Sequence, residues 1–195
     1  MTGFTILIII IAAVLLYFWS LYNHFVTIKT RIKASIQEIG NQFKRQADLI
    51  PNLVASVKGY MKHEMTIFKE LTEARKQIVK VVDGGDTQKM IEAGARLQNA
   101  LMPIRAVFES TPQLQAVGPT SQLMEELRDT ADKVMYSRRT LIDLTADYNI
   151  MLARFPSNLV GKMFRFQPEP GLKIPGEGES LTVKKEELKT PKVEI

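Results

Sequence analysis

Three kinds of residue in this chain do chemistry elsewhere, and each lacks a partner the chemistry needs. His63-Glu64 opens like a zinc-protease helix, but the second imidazole is required one turn later and that position is Ile67. Gly84-Gly85 offers bare backbone donors for a phosphate, yet no strand precedes it and no Gly-Lys-Ser follows, so it reads as a turn between helices. Ser56 and Ser121 have no base near them in sequence to take a proton. Two histidines and no cysteine in 195 residues exclude thiol nucleophiles, thiolate metal sites and disulfides. No catalytic, cofactor or metal site and no small-molecule substrate are expected. The chemistry to look for is that of surfaces.

The stretch that positions those surfaces is Phe4 to Tyr22. It is apolar all round apart from Thr5 and Ser20, and no Lys, Arg, Asp or Glu appears before Lys29. As a helix it is roughly 30 Å long, the thickness of a bilayer's hydrocarbon core. Nothing basic precedes it and it ends in bulky Tyr22-Asn23-His24 without small residues for cleavage, so it reads as a retained anchor. Tyr17, Trp19 and Tyr22 stand at its C-terminal end, where amphipathic rings favour the headgroup region. Lys29, Arg31 and Lys33 follow, and by the positive-inside rule the rest of the chain is expected on the cytoplasmic side of the membrane.

The remaining residues suffice for one domain with a core. Phe25, Ile28, Ile32, Ile36, Ile39, Phe43 and Ile50 recur in steps of three and four, which predicts a helix continuous with the anchor. Pro51 is expected to end it, with a second helix starting there and carrying Val54, Met61, Phe68, Leu71 and Ile78 inward. Asp83-Gly84-Gly85-Asp86 predicts the next turn. A third helix follows through Met90, Gly94, Leu97, Leu101 and Phe108, with Pro103 expected to kink or split it. After a Pro- and Gly-bearing loop, Thr120 or Ser121 is expected to cap a fourth helix reaching Arg154. No stretch alternates with period two. The expected fold is all-α: a transmembrane anchor (1–22), an antiparallel four-helix bundle (23–166) and a disordered tail (167–195).

That topology makes two placements. Pro51 and the loop 110–120 fall at the distal end; the Asp83 turn, Tyr22-Asn23 and Tyr148-Asn149 fall at the membrane end, where their polar groups are expected to satisfy one another. Asp48, Pro51 and Asn52 are the expected contact residues at the distal turn. Phe155 to Phe166 mixes Leu159, Phe164 and Phe166 with Lys162 and Arg165, which suits either the lipid interface or a cap on the bundle's end. The formal charge of +5 is interspersed, unlike the concentrated stripe of a nucleic-acid binder. Two function classes follow: an adaptor that holds a membrane-protein partner or further copies of itself, and a lipid-binding or membrane-shaping protein using Lys29, Arg31, Lys33, Lys162 and Arg165.

Tyr22-Asn23, Asp48-Leu49-Ile50-Pro51-Asn52-Leu53-Val54, Val57-Lys58-Gly59-Tyr60, Lys62-His63-Glu64, Ala74-Arg75, Tyr148-Asn149 and Phe155-Pro156-Ser157-Asn158 closely resemble the LemA family. The likeness covers most of Tyr22 to Phe166. It implies a bacterial protein of the inner membrane with one span and a helical domain, and makes a membrane-bound zinc protease of the heat-shock class a candidate partner. The chain departs from the family pattern at Ala131, where an acidic residue is usual, and at Leu141-Ile142, where a Tyr-Asn pair is usual; Arg138 is kept.

Overall fold

One helix, α1 (Thr2–Val57), passes without interruption from the apolar N-terminal run into the folded domain. The structure, a computed structural model, describes residues 2–61 and 64–172. The side chains of Ile6 to Leu16 are at least half exposed where they are large and apolar, and the most hydropathic stretch of α1 buries nothing against the protein. Beyond it the spacing of three and four takes over: Phe25, Ile28, Ile32, Ile39, Phe43 and Ile50 are all buried. The same helix thus meets two solvents.

Pro51 does not end α1. The helix continues one and a half turns to Val57, and the chain turns at Lys58-Gly59-Tyr60 instead. A proline inside a helix leaves the carbonyl four residues earlier without its donor. Here that carbonyl belongs to Ala47, and the Arg75 guanidinium fills the gap, its Nε donating to Ala47 O at 2.7 Å from the neighbouring helix. The expected break is removed by a residue 24 positions away in sequence.

That neighbour is α2 (Met65–Gly84), which buries Phe68, Leu71, Ala74 and Ile78 and ends on Gly85 in the left-handed region, φ 72°. Without a Cβ, Gly85 adopts this turn freely and its N–H donates to the Val81 and Val82 carbonyls, both at 3.2 Å. The Asp86 carboxylate then caps α3 (Thr87–Ser110), accepting from Lys89 N at 3.0 Å. That backbone donor, with the Lys89 ammonium beside it, holds the Asp86 carboxyl below its ordinary range. Pro103 neither ends nor splits α3. A short α4 (Pro112–Gln115) leads to α5 (Gly118–Ala153), which starts ahead of the expected caps: Pro119 occupies its first turn, and the Ser121 hydroxyl donates to Gln115 O at 2.8 Å. Last comes α6 (Ser157–Met163).

No strand occurs among the described residues, and the architecture is all-helical. α5 runs antiparallel along α1, α2 and α3 pair, and α2 lies on the distal half of α1. α3 and α5 approach each other less closely than these pairs do, with a groove between them. The Asp83 turn, expected beside the bilayer, sits far from it: Lys44 and Asp83 form an ion pair at 2.7 Å, and Gly40 faces Val82 and Met90. Gly40 is 18 residues past Tyr22, roughly 27 Å at helical rise. α2 has 20 residues, too few to return to the anchor. Nearer the membrane, α6 and an extended segment, 166–172, pack against α1 and α5 instead.

On the surface Glu73 pairs with Lys76 at 2.9 Å within α2, and Arg45 of α1 reaches Glu126 of α5 at 3.4 Å. Lys76 lowers the Glu73 carboxyl below its ordinary value.

Candidate functional site

The membrane-proximal foot is an aromatic cluster drawn from three parts of the chain. Phe25 meets Tyr148 edge-on at 5.8 Å and stacks on Phe166 at 5.0 Å; Tyr22 lies 4.6 Å from Phe164 and 5.9 Å from Phe166 between ring centroids. Such contacts add to the area each ring buries. Tyr22 and Tyr148 are therefore at the same end, as the topology requires. Gly161 lets α6 approach closely, since a Cβ there would stand 2.8 Å from Leu152 Cδ2. Ser157, at the start of α6, donates to Met151 O and Arg154 O at 2.7 and 2.9 Å.

The two Tyr-Asn pairs do not satisfy each other. Asn23 is exposed, and Asn149 instead grips the backbone of Glu169: its Nδ2 donates to Glu169 O at 2.9 Å, and Glu169 N donates to its Oδ1 at 3.0 Å. Lys29 adds an ion pair to the Glu169 carboxylate at 3.1 Å. The Tyr148 hydroxyl is buried without a protein partner among the described residues, and that burial pushes its pKa up. The residues 167–172, grouped by composition with the tail, are thus held along the foot; residues 173–195 lie outside the described residues, as does His63. Asn149→Ala is expected to free the segment. Losing two hydrogen bonds of about 1 kcal/mol each should speed amide exchange at Glu169 by roughly tenfold or more, measured by mass spectrometry on the full-length protein in detergent.

Higher up, the gap between α3 and α5 is a groove of ≈ 290 Å³ with Phe43 of α1 in its lining. Gly94, Ala95 and Ala131 keep its walls low, Ile91 and Val134 make them apolar, and Arg138 and Asp132 sit at its edge. The tip of the Phe43 ring lies against Gly94, at the spot a Cβ would occupy. Beside the groove a polar chain ties α3 to α1: Gln98 Nε2 donates to the fully buried Gln46 at 3.0 Å, and Arg105 donates to Gln98 Oε1 at 2.8 Å.

Of the residues singled out by sequence, Asp48, Pro51 and Asn52 are exposed on α1 ahead of the turn rather than in it. Phe155, Leu159, Lys162, Phe164 and Arg165 are exposed at the foot, while Phe166 is half-buried in the aromatic cluster. Arg75, Gly94 and Gln46 were visible only as motif or helix residues, since Arg75 stands among polar neighbours, Glu73, Lys76 and Gln77, that give no sign of an inward role. Among the described residues no group of three or more His, Asp or Glu is placed to hold a metal ion.

A long apolar N-terminal helix joined to an all-helical domain with an aromatic foot defines a membrane-associated helical protein with one candidate span. Its family is shown by sequence comparison. A sequence profile of the LemA family matches residues 35–185, and the chain belongs to that family. It is similar to the magnetosome protein MamQ of Magnetospirillum gryphiswaldense, 22% identical over 169 residues that cover 75% of this chain and 62% of MamQ. Magnetosome protein MamQ 2 of Paramagnetospirillum magneticum is 23% identical over the same shares. The chain thus spans about three fifths of the length of these relatives.

Proposed function

We propose that the protein is an adaptor held at the cytoplasmic face of a bacterial inner membrane, and that it works by binding another membrane protein or further copies of itself. The observation that carries this reading is the open groove between α3 and α5. Its exposed apolar surface comes from Ala95, Val134 and Met135, the last at 67% exposure, with Phe43 buried beneath them. Exposed apolar side chains along a groove between helices are what a partner helix covers when it docks. The exposed α1 residues Asp48, Pro51 and Asn52 supply a second contact area nearer the tip. The orientation rests on Lys29, Arg31 and Lys33 following the span, and the membrane zinc protease implied by the family resemblance is one candidate partner.

The test is a photocrosslinking amino acid placed at Met135 in the full-length protein in its own membrane, with Met65, exposed on α2, as the reference. The adaptor reading expects a discrete adduct from Met135, identified by mass spectrometry as one protein or as a second copy of this chain. Crosslinking from Met135 no stronger than from Met65 would overturn it. A second reading, lipid binding, is favoured by the outward face of α6.

A further inference from the structure

The geometry points to α6 as a second membrane contact: a short helix seated in the headgroup layer, its outward side chains in the acyl boundary and its cations against anionic lipid phosphates. The helix has two unlike faces. Ser157, Val160 and Gly161 are buried against the domain. On the opposite side Leu159 and Met163, spaced by four, are 45% and 62% exposed; Phe155, two residues before the helix, is 74% exposed, and Phe164 follows it at 49%. Side chains four apart line one face of a helix. In water alone this would be four large apolar groups in a row with nothing over them.

Height decides what covers them. The apolar run from Phe4 fills the hydrocarbon core by about Tyr22, and the Phe164 ring touches Tyr22 at 4.6 Å. Phe18 and Leu21, both still within that run, also pack against the domain's core. The foot therefore overlaps the top of the span, level with the exposed rings of Tyr17 and Trp19, which belong at the interface. A helix lying at this height with an apolar outer face and basic neighbours has the makeup of an interfacial helix. Arg154, Lys162 and Arg165 are all exposed around it, and no acidic residue occurs from Arg154 to Pro168. Each such cation near an anionic surface contributes about 1 kcal/mol, falling off within a Debye length. The occupant is thus the bilayer that already holds α1, continuous with the span, and not a separate protein.

The chain contains no cysteine, so single cysteines can be labelled uniquely. The full-length protein is reconstituted in vesicles of phosphatidylethanolamine and phosphatidylglycerol. Nitroxide labels go at Leu159→Cys and Met163→Cys, at Leu15→Cys in the span, and at Met65→Cys as the solvent reference, 65% exposed on α2; collision with oxygen is compared with collision with a water-soluble nickel chelate. The inference expects 159 and 163 to favour oxygen as position 15 does, while 65 favours nickel. It also expects Lys162→Glu with Arg165→Glu to shift 159 toward nickel in these vesicles and not in pure phosphatidylcholine. Labels at 159 and 163 that behave like 65 would overturn it, as would dipolar broadening between labels of neighbouring molecules, which assigns the face to a second copy. The result rests on the anchor and not on any partner, so failure of the adaptor reading leaves it untouched.

Discussion

Gly94→Val is expected to cost roughly 3 kcal/mol, the upper end for forcing extra atoms into a packed core, and to lower the melting midpoint of the detergent-solubilised protein by roughly 10 °C. The added atoms would occupy the space of the Phe43 ring, which is 3% exposed and has nowhere to retreat. Gly94→Ala sets two effects against each other. Alanine favours a helix over glycine by about 1 kcal/mol, but its methyl meets the same ring, so overpacking still wins by a smaller margin. The discriminating measurement is the pair with Phe43→Leu. If the ring is the obstacle, the double variant recovers a large part of the loss; simple additivity would show that the glycine matters for some other reason.

Arg75→Met is expected to destabilise by about 2 kcal/mol, since it withdraws a charged donor from a half-buried carbonyl that has no other. The Ala47 carbonyl is unsatisfied by its own helix only because residue 51 is proline. In a Pro51→Ala background the alanine N–H can make the ordinary bond to Ala47, and Arg75→Met should then cost less than half as much. Chemical denaturation of the four variants measures the coupling. Equal costs of Arg75→Met in both backgrounds would show that the guanidinium contributes through packing alone.

Those two sites also mark where sequence reasoning reached its end. The anchor was legible because an uncharged run of about 20 residues has few other stable homes, and the turn at Asp83 to Asp86 because glycine and a capping carboxylate act locally. Pro51 was misjudged for a physical reason: the penalty of a mid-helix proline is local, but its remedy, Arg75, comes from another helix. The height of the Asp83 turn could have been found by counting, since 20 residues cannot cover the 35 that separate Tyr22 from Val57. The groove could not. Each of α3 and α5 shows an ordinary apolar stripe, and only their spacing in the folded chain leaves a groove between them, above the buried Phe43 ring. Residues 167–172 lack helix-forming character, which says nothing about whether Asn149 will grip their backbone.

A single unbroken α1 also makes the molecule a lever. About 50 Å of rigid shaft lies between Tyr22 and Val57 at helical rise, so each ten degrees by which the span leans moves the far end by about 9 Å. Lean is what a span uses to match the thickness of its bilayer. Local thinning or thickening of the lipid would therefore be read out as a sideways displacement at the tip, with Lys58 to Tyr60 sweeping an arc over the membrane.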